Sequence, residues 1–126
     1  MLVTVAISTT QNVNTVTTED NLANDLTQIS ASLDLQEPKI FITSPLTGSL
    51  FNLYSNVIVN TTASDNIAVS KVEIKVNGAV FCSVTNPPYN CKFKASGKPG
   101  STITIEALAY DNAGNRSSTS TSIQIK

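Results

Sequence analysis

Residues 102–116, TITIEALAYDNAGNR, restrict the fold more than any other stretch of the chain. Ile103, Ile105, Ala107 and Ala109 recur every second residue, while Thr102, Thr104, Glu106, Leu108 and Tyr110 fall on the opposite face. A strand keeps these two sets apart, whereas a helical pitch would scatter them round a cylinder. The run ends in Asp-Asn-Ala-Gly-Asn, where Gly114 accepts a positive φ without penalty and the Asp and Asn side chains bond to nearby backbone amides. Residues 120–126 then return with Ile123 and Ile125 inward, so the pattern predicts a half-buried strand, a tight corner and a return strand.

Composition extends this reading to the whole chain. The 126 residues suit one domain with a modest core. Ser, Thr and Asn are abundant, Val and Ile outnumber Leu, and only 13% of residues are charged. The usual helix-surface formers are therefore scarce, and an all-β body is expected.

Further alternating segments follow at short spacing. Residues 39–43 place Ile40 and Ile42 inward and stop at Ser44-Pro45 and Thr47-Gly48. Residues 56–63 bury Val57, Val59, Thr61 and Ala63, and residues 70–77 set Val72, Ile74 and Val76 against Lys71, Glu73 and Lys75. Asn77-Gly78 is a strong hairpin signal. Residues 79–84 and 89–95 are two more strands, joined by Thr85-Asn86-Pro87-Pro88. Together with the opening stretch and its return strand these make seven, the sequence mark of a sandwich.

Cys82 and Cys91 offer a register for the fourth and fifth expected strands. If 79–84 and 89–95 form a hairpin with the cysteines opposite each other, Val84 meets Tyr89, Val80 meets Phe93, and all three pairs share one face. The pairing predicts a disulfide and an oxidising compartment; two reduced thiols are the alternative. With no His and no further Cys, the common zinc sites are excluded.

The first 37 residues differ in character. Residues 2–8, LVTVAIS, alternate Val3, Val5 and Ile7 as a short strand with no neighbour in sequence to pair with. It is either a strand donated to a neighbouring subunit or module, or an ordinary strand of this or a preceding domain. A polar connector leads to Thr17-Thr18-Glu19-Asp20, a helix start, and Leu22, Leu26, Ile29 and Leu33 form one apolar stripe over a helix of about residues 19–34. Glu37-Pro38 ends it and marks the expected boundary between a 1–37 arm and a 38–126 domain. Charge divides at the same place. The chain before Lys39 carries five acids and no base, −5, and the rest carries eight bases and four acids, +4, so the two segments should attract.

Residues 38–126 resemble the bacterial immunoglobulin-like domains found, often in tandem, in secreted and surface proteins. The resemblance rests on PKIFITSPLTG, TASDNIAVSKVEIKVNG, PPYNCKF and IEALAYDNAGNRS in that order, about 70% of the chain. It implies a seven-stranded immunoglobulin-like β-sandwich whose function is exchangeable: spacer, adhesin segment, accessory domain of a polysaccharide-active enzyme, or virion or filament component.

In such a sandwich the loop at 64–66 lies at the same end as the loop at 111–115. Asp65, Asn66, Asp111 and Asn112 then form a candidate calcium site of hard oxygen ligands, set against the reading that each Asp caps its own turn. No other cofactor is expected. Tyr54, Tyr89 and Tyr110 are candidates for a carbohydrate-stacking surface or, alternatively, packing and rim residues, with Tyr110 bonding back to the backbone. No Ser, Lys or carboxylate pair has an activating motif, so an enzyme is not expected. The weak basic character argues against nucleic acid, and no run of about 20 apolar residues offers a membrane span.

The expected role is a non-catalytic structural or adhesive module of an extracellular or cell-surface protein, with a protein partner. The first alternative is a subunit of a filament or virion assembling through Val3, Val5, Ile7, Leu22, Leu26, Ile29 and Leu33; the second is a glycan-binding accessory domain.

Overall fold

The computed structural model describes residues 34–126, and residues 35–126 form one compact unit. The expected strand at 2–8, the expected helix at about 19–34 up to residue 33, and all seven apolar arm residues named above lie outside the described residues.

The described residues form two packed sheets. In chain order the strands are β1 (Lys39–Ser44), β2 (Leu50–Phe51), β3 (Asn56–Ser64), β4 (Val69–Val76), β5 (Ala79–Val84), β6 (Tyr89–Lys94), β7 (Thr102–Asp111) and β8 (Arg116–Ile125). One sheet has the order β1-β3-β6, the other β2-β8-β7-β4-β5. All pairings are antiparallel except that of the two-residue β2 along β8. Each of the seven expected strands is present; β2 is an eighth that alternation over two residues could not announce.

The inward faces are those the alternation predicts. Val57 and Val59 on β3, Val72 and Ile74 on β4, Ile103, Ile105, Ala107 and Ala109 on β7, and Ile123 and Ile125 on β8 are buried in one core cluster. Burial of this apolar surface between the sheets is the main favourable term holding them together. Inward hydroxyls find partners: Thr61 donates to the Tyr89 carbonyl, and Thr47 and Thr121 share a 2.8 Å bond. The β4–β5 hairpin turns through Asn77 (φ 50°) and Gly78 (φ 87°), the positive pair that matches the twist of its strands.

The β5–β6 arrangement corrects the expected hairpin. The disulfide exists, with Cα atoms 6.1 Å apart, but it joins two sheets. Cys82 lies opposite Ile74 of β4, and Cys91 opposite Val59 of β3. Val84 therefore pairs with Val72 instead of Tyr89, and Val80 is exposed rather than set against Phe93. The Pro87-Pro88 connection carries the chain across the sandwich, so β5 and β6 each extend a longer apolar strand. A bulge skips Phe81 in the β4–β5 register, and its ring meets Phe93 edge-on at 5.7 Å. The bridge thus closes one open side of the sandwich.

Candidate functional site

The loops after β3 and after β7 come together at one end. A carboxylate oxygen of Asp65 and one of Asp111 lie within 4.8 Å of each other. Each acid first serves its own turn. Asp65 Oδ2 accepts from the Ile67 and Ala68 amides at 3.2 Å, while Asp111 Oδ1 accepts from the Ala113 and Asn115 amides at 2.9 and 2.8 Å. Asn115 Nδ2 donates to Asp111 Oδ2 at 2.9 Å. Asp111 is buried, and Gly114 adopts φ 93°, so the corner winds around this carboxylate. One oxygen has no such role: Asp65 Oδ1 is buried and has no hydrogen-bond partner among the described residues. Asn66 and Asn112 are exposed at the same end. The structure therefore brings the predicted acids together and leaves one buried acceptor open to a further donor or cation.

A second cluster occupies the outer face of the five-stranded sheet. The register sets Lys71 beside Tyr110, Glu73 beside Leu108 and Lys75 beside Glu106. Tyr110 Oη donates to Glu73 Oε1 at 2.9 Å, Lys71 Nζ reaches Glu73 Oε2 at 3.2 Å, and the same ammonium sits 4.7 Å from the Tyr110 ring centroid. The Tyr110 hydrogen bond, with help from Lys71, holds the Glu73 carboxyl below its ordinary value against the opposing effect of burial. Tyr110 thus bonds across to β4, in place of the expected bond to its own backbone. Leu108, on an outward position opposite Glu73, is nonetheless buried. A polar groove of about 290 Å³ runs beside it, lined by Lys75, Glu106, Arg116, Ser117 and Ser118. The three tyrosines share no surface: Tyr89 packs against the core, Tyr54 lies in the turn before β3, and Tyr110 lies under Lys71.

Only the alternation hinted at the Lys71–Glu73–Tyr110 cluster, since the sequence marks all three as outward but not as neighbours. No helix among the described residues is long and apolar enough to cross a membrane.

The order of strands, the two-sheet division and the carboxylate-centred corner define an immunoglobulin-like sandwich. The bacterial Ig domain model matches residues 38–107, which is 70 of 126 residues, and the chain belongs to that family. Among solved structures it is similar to the fibronectin(III)-like modules of Clostridium thermocellum CbhA, at 27% identity and a TM-score of 0.64, over 71% of this chain and 47% of that one. It also resembles in fold the endo-beta-1,4-mannanase from Thermotoga petrophila (15% identity, TM-score 0.54, 97% of this chain and 26% of that one). The superoxide reductase (neelaredoxin) from Ignicoccus hospitalis shares the fold too, at 12% identity and a TM-score of 0.52, over 88% of this chain and all of that one. No curated protein is significantly similar to the chain. The chain spans about half of the CbhA chain and about a quarter of the mannanase. Bacterial Ig and fibronectin(III)-like domains are non-catalytic domain types, typical of extracellular and surface proteins.

Proposed function

We propose that the domain is a non-catalytic structural or adhesive module of an extracellular or cell-surface protein. The observation that carries this reading is the disulfide between the two sheets: it ties an edge strand of each to the other, which suits a module that keeps its shape outside a reducing cytosol. The test is the redox state of the native protein. Both thiols protected from alkylation, in protein recovered outside the cytosol, supports the reading; quantitative labelling of Cys82 and Cys91 in native protein overturns it.

Assembly into a filament or virion is a second reading, favoured by the charge division at Lys39. Sedimentation of the full chain against a variant starting at Glu37 tests it, and a monomer in both cases removes it. The corner supports one cofactor, calcium, with Asp65 and Asp111 as ligands and Asn66 and Asn112 beside them. The orphaned Asp65 Oδ1 favours it. Calcium at about 100 times its Kd should stabilise the fold by about 2.7 kcal/mol. A melting temperature unmoved by millimolar calcium, with no heat in calorimetry, ends that reading.

A further inference from the structure

We propose that the outer face of the three-stranded sheet binds an anionic, carboxylate-bearing polysaccharide of the polyuronate kind. The outward residues of this sheet are Lys39, Phe41 and Thr43 on β1, Asn56, Ile58, Asn60 and Thr62 on β3, and Asn90, Lys92 and Lys94 on β6. Three cations stand on it with no carboxylate among these ten residues, and none of the three has an ion-pair partner among the described residues. The register fixes their layout: Lys94 lies opposite Asn56, Lys92 opposite Ile58, and at the far corner Lys39 lies opposite Ser64. From Asn56 to Ser64 the sheet runs roughly 26 Å, at about 3.3 Å per residue.

That layout selects the partner. Cations strung along a flat sheet cannot converge on one small anion, but a chain with repeating carboxylates engages them together, each weak contact raising the effective concentration of the next. Between the lysines lie Thr62 and Asn90, whose hydroxyl and amide match sugar hydroxyls as both donors and acceptors, and Asn60, whose amide nitrogen already donates to Ser44 Oγ at 2.9 Å and whose amide oxygen is left as an acceptor. Phe41 is 61% exposed and Ile58 54%, each opposite a polar residue, Thr62 and Lys92. An exposed aromatic ring on a polar face offers a surface for the C–H side of a pyranose. An acidic protein would use the lysines but has no equivalent need of the amides.

The test is affinity electrophoresis and calorimetry of the full chain with polygalacturonate, with dextran as the neutral polymer and poly-glutamate as the peptide polyanion. Polygalacturonate should retard the protein at low salt, less so as salt rises, and dextran should not. Lys92→Glu with Lys94→Glu should weaken binding at least about tenfold and Phe41→Ala by several-fold. Lys92→Arg with Lys94→Arg, and Lys75→Gln on the opposite sheet, should bind as the parent does. Unchanged thermal melting would show that each variant is folded. No retardation by polygalacturonate, equal binding by the Lys92→Glu/Lys94→Glu variant, or poly-glutamate binding as tightly as polygalacturonate would each overturn the proposal.

Discussion

The outer faces of the two sheets are built from the same alternation and end in opposite states. On the five-stranded sheet Lys71, Glu73 and Tyr110 satisfy one another, Lys75 faces Glu106, and Leu108 is covered. On the three-stranded sheet Lys39, Lys92 and Lys94 have no ion-pair partner among the described residues, and Phe41 and Ile58 stay exposed. Both inner faces are apolar, with Val57, Val59, Cys91 and Phe93 on one and Val72, Ile74, Ile103, Ile105 and Ile123 on the other packed into one core. What separates the sheets is whether outward lysines find a carboxylate within the described residues: Lys71 does, while Lys39, Lys92 and Lys94 do not, although Asn60 and Thr43 bond locally at Ser44 Oγ and the Asn60 carbonyl. A face that is internally paired contributes to stability; a face that is not is available to something outside.

The largest test of this division cuts what joins the sheets. The disulfide closes a loop of sequence separation 9, for which the chain-entropy model gives about 2.6 kcal/mol. Reduction, or the paired substitution Cys82→Ala/Cys91→Ala, should therefore lower the melting temperature by roughly 10–20 °C in a domain this size. The transition should remain single, because the core cluster draws on both sheets. Two resolved transitions in calorimetry would show that the sheets unfold separately.

Next in size is the corner of the five-stranded sheet. Asp111→Ala removes the acceptor of three hydrogen bonds from a buried position and leaves their donors unsatisfied, at a cost of about 2 kcal/mol. Gly114→Ala should cost about 1 kcal/mol from backbone strain alone, as a Cβ there would meet nothing within 4 Å. Denaturant midpoints measure both, and a neutral Asp111→Ala would mean that the corner does not depend on its carboxylate.

These two positions also show what a sequence discloses. Asp111 and Gly114 declare themselves because local backbone chemistry restricts which residue types can stand there. The seven longer strands do so through alternation. The partner of a strand is another matter. A disulfide needs Cα atoms about 4.4–6.8 Å apart, which strands neighbouring in one sheet and strands facing across two sheets both provide, so Cys82 and Cys91 could not reveal that β5 and β6 lie in different sheets. Likewise Asp65 and Asp111 follow from the fold, whereas the lack of a partner for Asp65 Oδ1 among the described residues depends on how the loop at 64–68 closes over it. The contrast between the two outer faces was hidden for the same reason: Glu73 meets Tyr110 across 37 residues of sequence, and only the register brings them together.

On the paired face, Tyr110→Phe deletes the hydroxyl bonded to Glu73 and should cost roughly 0.5–1 kcal/mol, a modest value because the pair is near the surface. On the unpaired face, Lys92→Glu with Lys94→Glu should change stability by no more than about 0.5 kcal/mol, as no contact within the domain is lost. Equal losses at the two faces would erase the distinction between them.

The smallest effect, and the sharpest for the mechanism of pairing, is in pH. The Tyr110 hydrogen bond depresses the Glu73 carboxyl below its ordinary value near 4.5. A depressed carboxyl binds its proton less readily in the folded than in the unfolded state, so its contribution is fully present above the unfolded value and is lost as pH falls through the folded one. Between pH 5 and pH 3 the parent should therefore lose slightly more stability than Glu73→Gln, which has no proton to take up. In Tyr110→Phe that excess should shrink, because the largest cause of the depression is gone while Lys71 remains. Parallel stability–pH curves for the parent and Glu73→Gln would show that the carboxyl titrates alike in both states, and the paired face would then be held by packing over Leu108 rather than by charge.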